Sequence, residues 1–206
     1  MPETLEVVRG DFSMEDPWAF PDAAETVSLL RSTDGHAPRL ATRVCAYRDN
    51  EYLTFVFAGA DDHVVATLYG HDDPIYNEDV YEAFLAPRVE SEYFELEVSP
   101  IATTFDARIE SPEGVRASMK ADASWECEGL ITATRRTSAT FDAVMRIPFA
   151  SIATSIPKEG EIWRGNLFRV DRHPSHGPEY SSWCPTMRNP ADFHVTQAFG
   201  RLRFRG

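Results

Sequence analysis

Apolar and polar residues alternate with a period of two along most of this chain, a pattern that predicts strands rather than helices. The clearest run is Phe141 to Ile147, where Phe141, Ala143, Met145 and Ile147 share one side and Pro148 ends it. Glu92 to Ser99 puts Phe94, Leu96 and Val98 on one face and Tyr93, Glu95 and Glu97 on the other. Thr103 to Ile109 reads likewise, with Phe105, Ala107 and Ile109 inward and Thr104, Asp106 and Arg108 outward. In Asp79 to Ala86, Tyr81, Ala83 and Leu85 face the core, which turns Val80, Glu82 and Phe84 the other way. Arg39 to Arg48 and Tyr52 to Ala58 predict a hairpin across the polar turn Asp49-Asn50-Glu51, the second strand being apolar on both faces and therefore central. Leu5 to Arg9, Val64 to Tyr69, the region from Trp125 through Leu130 to Arg136, Glu161 to Asp171, and Phe199 to Phe204 complete the strands.

Helical signals are few. Residues 22 to 31 fit a short helix with Asp22 as its cap and Val27, Leu29 and Leu30 as its apolar face, and Phe149 to Thr154 fits a single turn. Arg172 to Asp192 is rich in proline, histidine and serine and reads as a long loop of the kind that carries binding residues or wraps the body. Short strands with frequent turn signals predict an all-β fold, an antiparallel β-sandwich of jelly-roll or immunoglobulin-like type with one or two helical turns. At 206 residues and 43% hydrophobic composition, the chain suffices for one domain spanning residues 1–206 with a full core.

Charge narrows the partners. A formal net charge of -13 argues against nucleic acid, whose phosphates require a basic surface. No apolar run is long enough to span a membrane, and Met1 to Gly10 lacks the basic-then-apolar order of a signal peptide. The chain as written is thus expected to be soluble, and cytoplasmic unless it is a mature product or an excised piece, and a monomer or weak homo-oligomer. Cys45, Cys127 and Cys184 are too widely spaced for a zinc knuckle and odd in number, so they are expected to be free thiols.

The stretch from Tyr69 to Pro87 holds the most chemistry: an acidic, aromatic-tipped loop, broken by Asp72-Asp73-Pro74, that feeds directly into a strand. Glu82, Glu95, Glu97 and Asp106 are expected to line one sheet face, with Arg108 as counter-charge. A solvated acidic face and a polar floor for a small polar ligand with an apolar face fit that pattern equally. Arg169 is expected to be an exposed donor beside an inward Asn166, and Trp183, just before Cys184-Pro185, to line a site. Asp61, Asp62, Asp72, Asp73 and Asp79 offer hard oxygen ligands but not at the spacing of an EF-hand loop. His173 and His176 read as a surface pair.

Several segments, taken in order, resemble carbohydrate-binding module family 9. They are Tyr76 to Leu85, Phe94 to Pro100, Arg146-Ile147-Pro148-Phe149, Gly160 to Arg169, Tyr180 to Thr186, and Phe193 to Phe204. The ordered set carries the resemblance, which covers roughly residues 16–205. It implies a β-sandwich of a kind mostly appended to exported glycan-degrading enzymes, holding sugars, including reducing ends, between aromatic rings, with structural calcium. By that resemblance the first stacking ring falls on Tyr76, six positions before Glu82, and the second on Phe193, before Phe199-Gly200. Both are tryptophan in the well-studied binders of the family, and the arginine those binders carry falls on Glu97. The implied function is non-catalytic binding of a mono- or oligosaccharide, such as a plant-type glycan or a reducing end, in support of carbohydrate catabolism. The ligand set is Tyr76, Glu82, Glu95, Glu97, Arg169, Trp183 and Phe193; no cofactor is required, and calcium would sit among the five aspartates. Two alternatives stay open: a glycoside hydrolase acting on xylan-like glycan through the acidic face, and a haem-binding redox module of related fold drawing on Met119, Met145, Met187, His71 or His194.

Overall fold

A computed structural model describes residues 3–153 and 155–206. Its strands are β1 (Thr4–Arg9), β2 (Thr26–Ser28), β3 (Leu30–Arg31), β4 (Thr42–Arg48), β5 (Tyr52–Ala60), β6 (Val80–Ala86) and β7 (Glu92–Val98), then β8 (Thr104–Glu110), β9 (Lys120–Asp122), β10 (Ile131–Arg136), β11 (Thr140–Pro148), β12 (Ile162–His173), β13 (Gly177–Ser182) and β14 (Gly200–Phe204). One short helix, α1 (Phe149–Ile152), follows Pro148, where a missing backbone donor ends the β11 ladder.

Two layers result. The first, here the site sheet, runs β9-β8-β7-β6-β12-β14, with β13 and β3 extending it along the far half of β12. The second, the back sheet, runs β10-β11-β5-β4, with β2 beside β4. β1 belongs to both: Thr4 to Val7 pair with β14, and Val8 and Arg9 pair with β4. Those two pairings are parallel and the rest antiparallel, so the sandwich is antiparallel except along the strand that joins its layers.

Between the layers lies the main core, with Tyr81, Ala83, Leu85, Leu96, Val98 and Leu167 packed against Val44, Phe55, Phe57, Phe141, Met145 and Ile147. Tyr81 is its centre, stacked on Phe57 at 4.7 Å and Phe141 at 4.4 Å, with its hydroxyl donating to the Phe141 carbonyl at 2.8 Å. A buried phenol needs such a partner, since an unpaired hydroxyl in the core costs about 1–3 kcal/mol. The alternation expected for β5, β6, β7 and β11 is what this packing shows.

A second apolar cluster covers the outer face of the site sheet, where Val80, Phe84, Tyr93, Phe105, Ala107, Ile109, Phe168 and Val170 lie beneath Ile75, Phe193 and Phe199 from the loops. This sheet is therefore buried on both faces, and the outer one carries the site.

Four local expectations are corrected. Residues 22 to 31 form β2 and β3 rather than a helix, because Val27 and Leu29 are needed at the core edge and the backbone pairs with β4 and β13. Val64 to Tyr69 makes no strand: the Asp79 carboxylate accepts from the Val65 N–H at 2.7 Å and the Glu78 carboxylate from the Thr67 N–H at 2.6 Å, so side chains replace the ladder. Trp125 to Leu130 is irregular, with Trp125 packed on Phe94 at 4.7 Å, and the strand begins only at Ile131. Within the long segment after β12, Gly177 to Ser182 is a strand and not loop.

Candidate functional site

Cross-strand register decides which carboxylates meet. Glu82 on β6 lies directly opposite Glu97 on β7, and Glu95 follows two residues before, on the same outward side. Their carboxylate oxygens come within 4.8 Å of one another. All three residues are buried, Glu97 fully, and no donor from outside the three acids reaches either Glu97 oxygen. Burial and the neighbouring glutamates push Glu82 and Glu97 well above the usual carboxylate range, and burial raises Glu95 to about 7. Three like charges this close cannot all ionise in a site of low polarity, so the floor holds protons at neutral pH.

Asp106 and Arg108 do not join them. Phe105 pairs with Glu97 and Ala107 with Glu95, which turns Asp106 to the opposite face beside Leu96. There Asp106 is buried, accepts the Cys127 N–H at 3.1 Å and is raised to about 6 by desolvation. Arg108 faces Glu92 at 3.5 Å.

Above the floor is a cleft of about 360 Å³ bounded by Tyr76, Glu82, Glu95, Phe105, Tyr180 and Phe193. A 3-10 turn over Ile75–Asn77 buries Ile75 and turns Tyr76 outward, where the residue stays 43% exposed and its ring meets Phe105 edge-on at 5.6 Å. Phe193 stacks on Phe168 at 4.2 Å and meets Tyr180 edge-on at 5.9 Å, leaving only 7% of the residue open. Arg172 links the two sides: it donates to the Tyr76 carbonyl at 3.4 Å and lies 5.4 Å from the Tyr180 ring centre.

Sequence reasoning missed Arg116, Arg172, Tyr180 and the role of His194. Arg116 lines the cleft but is tied to Asp192 at 3.0 Å. His194 sits 2.7 Å from the Tyr93 hydroxyl, and burial holds its imidazole down at about 4, hence neutral. The Tyr93 hydroxyl also lies 4.0 Å from the Met119 sulfur, so the one Met and one His of the haem alternative that line the cleft are both engaged by it. Proximity of Phe193 to His194 in sequence was the available signal; nothing in the sequence sets Arg116 against this face.

Two expected ligands are elsewhere. Arg169, expected to be exposed, is 1% exposed on the inner face, with Asp61 at 2.9 Å, Asp171 at 3.2 Å and the Thr42 hydroxyl at 3.0 Å as partners. The pairing of Arg169 with Tyr81 puts both side chains on the core side of the sheet. Trp183 is buried in the main core rather than lining the cleft. Asn166 is buried and closes the backbone of Leu167 and Cys184 through its side chain, as expected, but its register with Phe84 sets it on the outer face of the sheet and not inward.

The five aspartates do not converge. Asp61 and Asp79 meet Asp171, but the Arg169 guanidinium already occupies that group, and Asp79 accepts two backbone N–H groups. Asp62 pairs with Arg39, Asp72 lies by His71 and Glu126, and Asp73 accepts the Gly70 N–H. As built, the buried group fits a guanidinium and not a calcium ion, which takes six to eight oxygens. His173 and His176 stack at 4.4 Å, with His63 5.2 Å from His173, at the surface end of β12.

A second groove, of about 450 Å³, runs past Tyr52, Pro148 and Phe149; its surface is mostly apolar, and among the described residues no cluster of buried carboxyls meets in it. Convergent polar groups beneath apolar walls mark the cleft as the site.

Comparison with known proteins follows the geometry. The model of carbohydrate-binding family 9 matches residues 24–204. No curated protein matches the sequence. Among solved structures, a protein of Bacteroides uniformis, provisionally assigned to carbohydrate binding, superposes with a TM-score of 0.76 at 15% identity, over 100% of both chains. A family 9 module of Caldicellulosiruptor kristjanssonii in complex with cellotriose gives a TM-score of 0.69 at 14% identity, covering 99% of this chain and 94% of that one. The glucose complex of a family 9 module from the same organism gives 0.64 at 14% identity, covering 99% and 96%. At these identities the structural likeness establishes the β-sandwich fold.

Proposed function

The chain belongs to carbohydrate-binding family 9, and from that premise we propose that its outer-face cleft binds a mono- or oligosaccharide without cleaving it. The observation that carries this reading is the half-exposed ring of Tyr76 standing over buried carboxyls in a cleft large enough for one or two sugar rings. A pyranose has an apolar C–H face and a polar hydroxyl edge. Tyr76 offers a platform for the first, and Glu82 and Glu95 offer acceptors, or donors when protonated, for the second. Phe193 supports the opposite rim from beneath, locked on Phe168, so a buried wall meets an exposed one.

Affinity at such a site is modest, because each sugar hydroxyl exchanges a bond to water for one to protein at a net gain of about 1 kcal/mol. Glucose and cellotriose, held in the two Caldicellulosiruptor structures, are the first probes. Calorimetry with both should give saturable binding in the millimolar range or tighter, weakened by Tyr76→Ala and by Glu82→Gln. Absence of heat for any glucan, xylan fragment or monosaccharide at tens of millimolar would count against the reading.

A further inference from the structure

The floor of the cleft is built for more than neutral hydroxyls. Glu82, Glu95 and Glu97 present oxygens within 4.8 Å of one another, and a point between three such oxygens lies no more than about 2.8 Å from each, the distance of a charge-assisted N–H···O bond. Glu97 is fully buried directly opposite Glu82, behind the two glutamates that line the cleft; its carboxyl shares a hydrogen bond with Glu95, and no donor from outside the three acids reaches either oxygen. Burying an unpaired acid next to two others is costly, and a native fold that does so repeatedly at one spot has an unmet demand for a cation or for donors. Arg116, the cation nearest in effect, is held by Asp192, and Arg172 is turned to Tyr76 and Tyr180.

We propose that the cleft selects sugars bearing a free ammonium group, amino sugars of the glucosamine type, with the ammonium seated among Glu82, Glu95 and Glu97 and the ring face against Tyr76. The inference rests on the saccharide-binding reading and names the class of saccharide. An ammonium has three N–H donors for three carboxyl groups, and the aromatic rim above suits the carbon skeleton that carries it. A bare divalent ion would use the floor and leave the rim idle.

Charge balance adds a second readout. The floor is held partly protonated by burial, so seating one positive charge stabilises an ionised carboxylate and expels a proton to solvent. The other charged or titratable groups about the floor are Arg116 and Asp192 at one side, His194 and Tyr93 beside β7, and Arg172 from β12. Arg116 and Arg172 are permanently charged and His194 is neutral, so the released proton comes from the glutamates.

The test is calorimetry on the whole chain near pH 7 with four probes: cellotriose, the β-1,4-linked glucosamine trimer, its N-acetylated form, and calcium chloride alone. The expected result is that the glucosamine trimer binds about tenfold or more tighter than cellotriose and the acetylated trimer. Its binding heat should depend on the buffer by an amount that reports proton release, and Glu97→Gln and Glu95→Gln should each remove the preference. Thermal melting shows whether each variant is folded, and the wild-type comparison stands without either. Equal or weaker binding of the glucosamine trimer, with cellotriose bound, overturns this inference and leaves the proposed function intact. Binding of neither sugar overturns both, and calcium binding abolished by Glu97→Gln in the absence of amino-sugar binding assigns the floor to a metal instead.

Discussion

Tyr76 and Phe193 occupy the two rims of the cleft, yet they differ in what they give the fold. Phe193 is buried and stacked face to face on Phe168 at 4.2 Å, so Phe193→Ala should lower stability by about 3 kcal/mol, read as a shift in urea midpoint with unchanged slope. Tyr76→Ala, at a half-exposed ring, should change stability by less than about 1 kcal/mol while weakening sugar binding about tenfold. The two variants thus separate platform from pillar. Residue pattern alone revealed that Glu82, Glu95 and Glu97 share a face, because alternation within β6 and β7 fixes it. It misplaced Asp106 and Arg169, since alternation sorts a strand into two faces without saying which one turns to the core; register with Glu97 and with Tyr81 supplies that, and register is not written in either strand by itself.

At the scale of elements, the inner end of β12 is pinned by charge. Arg169 donates to Asp61 and Asp171 and is closed off from water, being 1% exposed, and it also donates to the Ala60 carbonyl at 2.6 Å, tying β12 to the end of β5. Removing one partner of a buried ion pair leaves the other uncompensated, so Arg169→Met should cost about 3 kcal/mol or more in denaturant unfolding. Millimolar calcium should leave the melting temperature of the wild type unchanged, since the guanidinium already neutralises that group; a rise of several degrees would show that the ion displaces it. Strong strands were legible because their packing repeats every two residues. Residues 22 to 31 and Val64 to Tyr69 were not, because their structure is set by distant partners, β4 and β13 for the first and the Asp79 and Glu78 carboxylates for the second.

For the whole molecule, buried acids set the response to pH. Glu95 and Asp79 are raised to about 7 and Glu82 and Glu97 well above the ordinary range, in each case first through burial. A carboxyl whose folded pKa exceeds its unfolded one keeps a proton in the native state that the unfolded chain has lost, so stability falls as pH rises through that interval. His194, lowered to about 4 from an ordinary 6.5, acts in the opposite sense, but only below 6.5. Above it the acids prevail: unfolding free energy should decline from about pH 6.5 to 8, and Glu97→Gln should decline less steeply. A flat or rising profile in the wild type would contradict the buried-acid floor.

The most direct test of saccharide binding in the outer-face cleft is an NMR titration of isotope-labelled protein with cellotriose and with the glucosamine trimer, repeated on Tyr76→Ala. The expected shifts gather on Tyr76, Phe105, Tyr180, Phe193 and the strands bearing Glu82 and Glu95, and they weaken sharply in the variant. Shifts gathered instead along the Tyr52 and Phe149 groove, or undiminished binding by Tyr76→Ala, would place the sugar elsewhere and contradict the assignment.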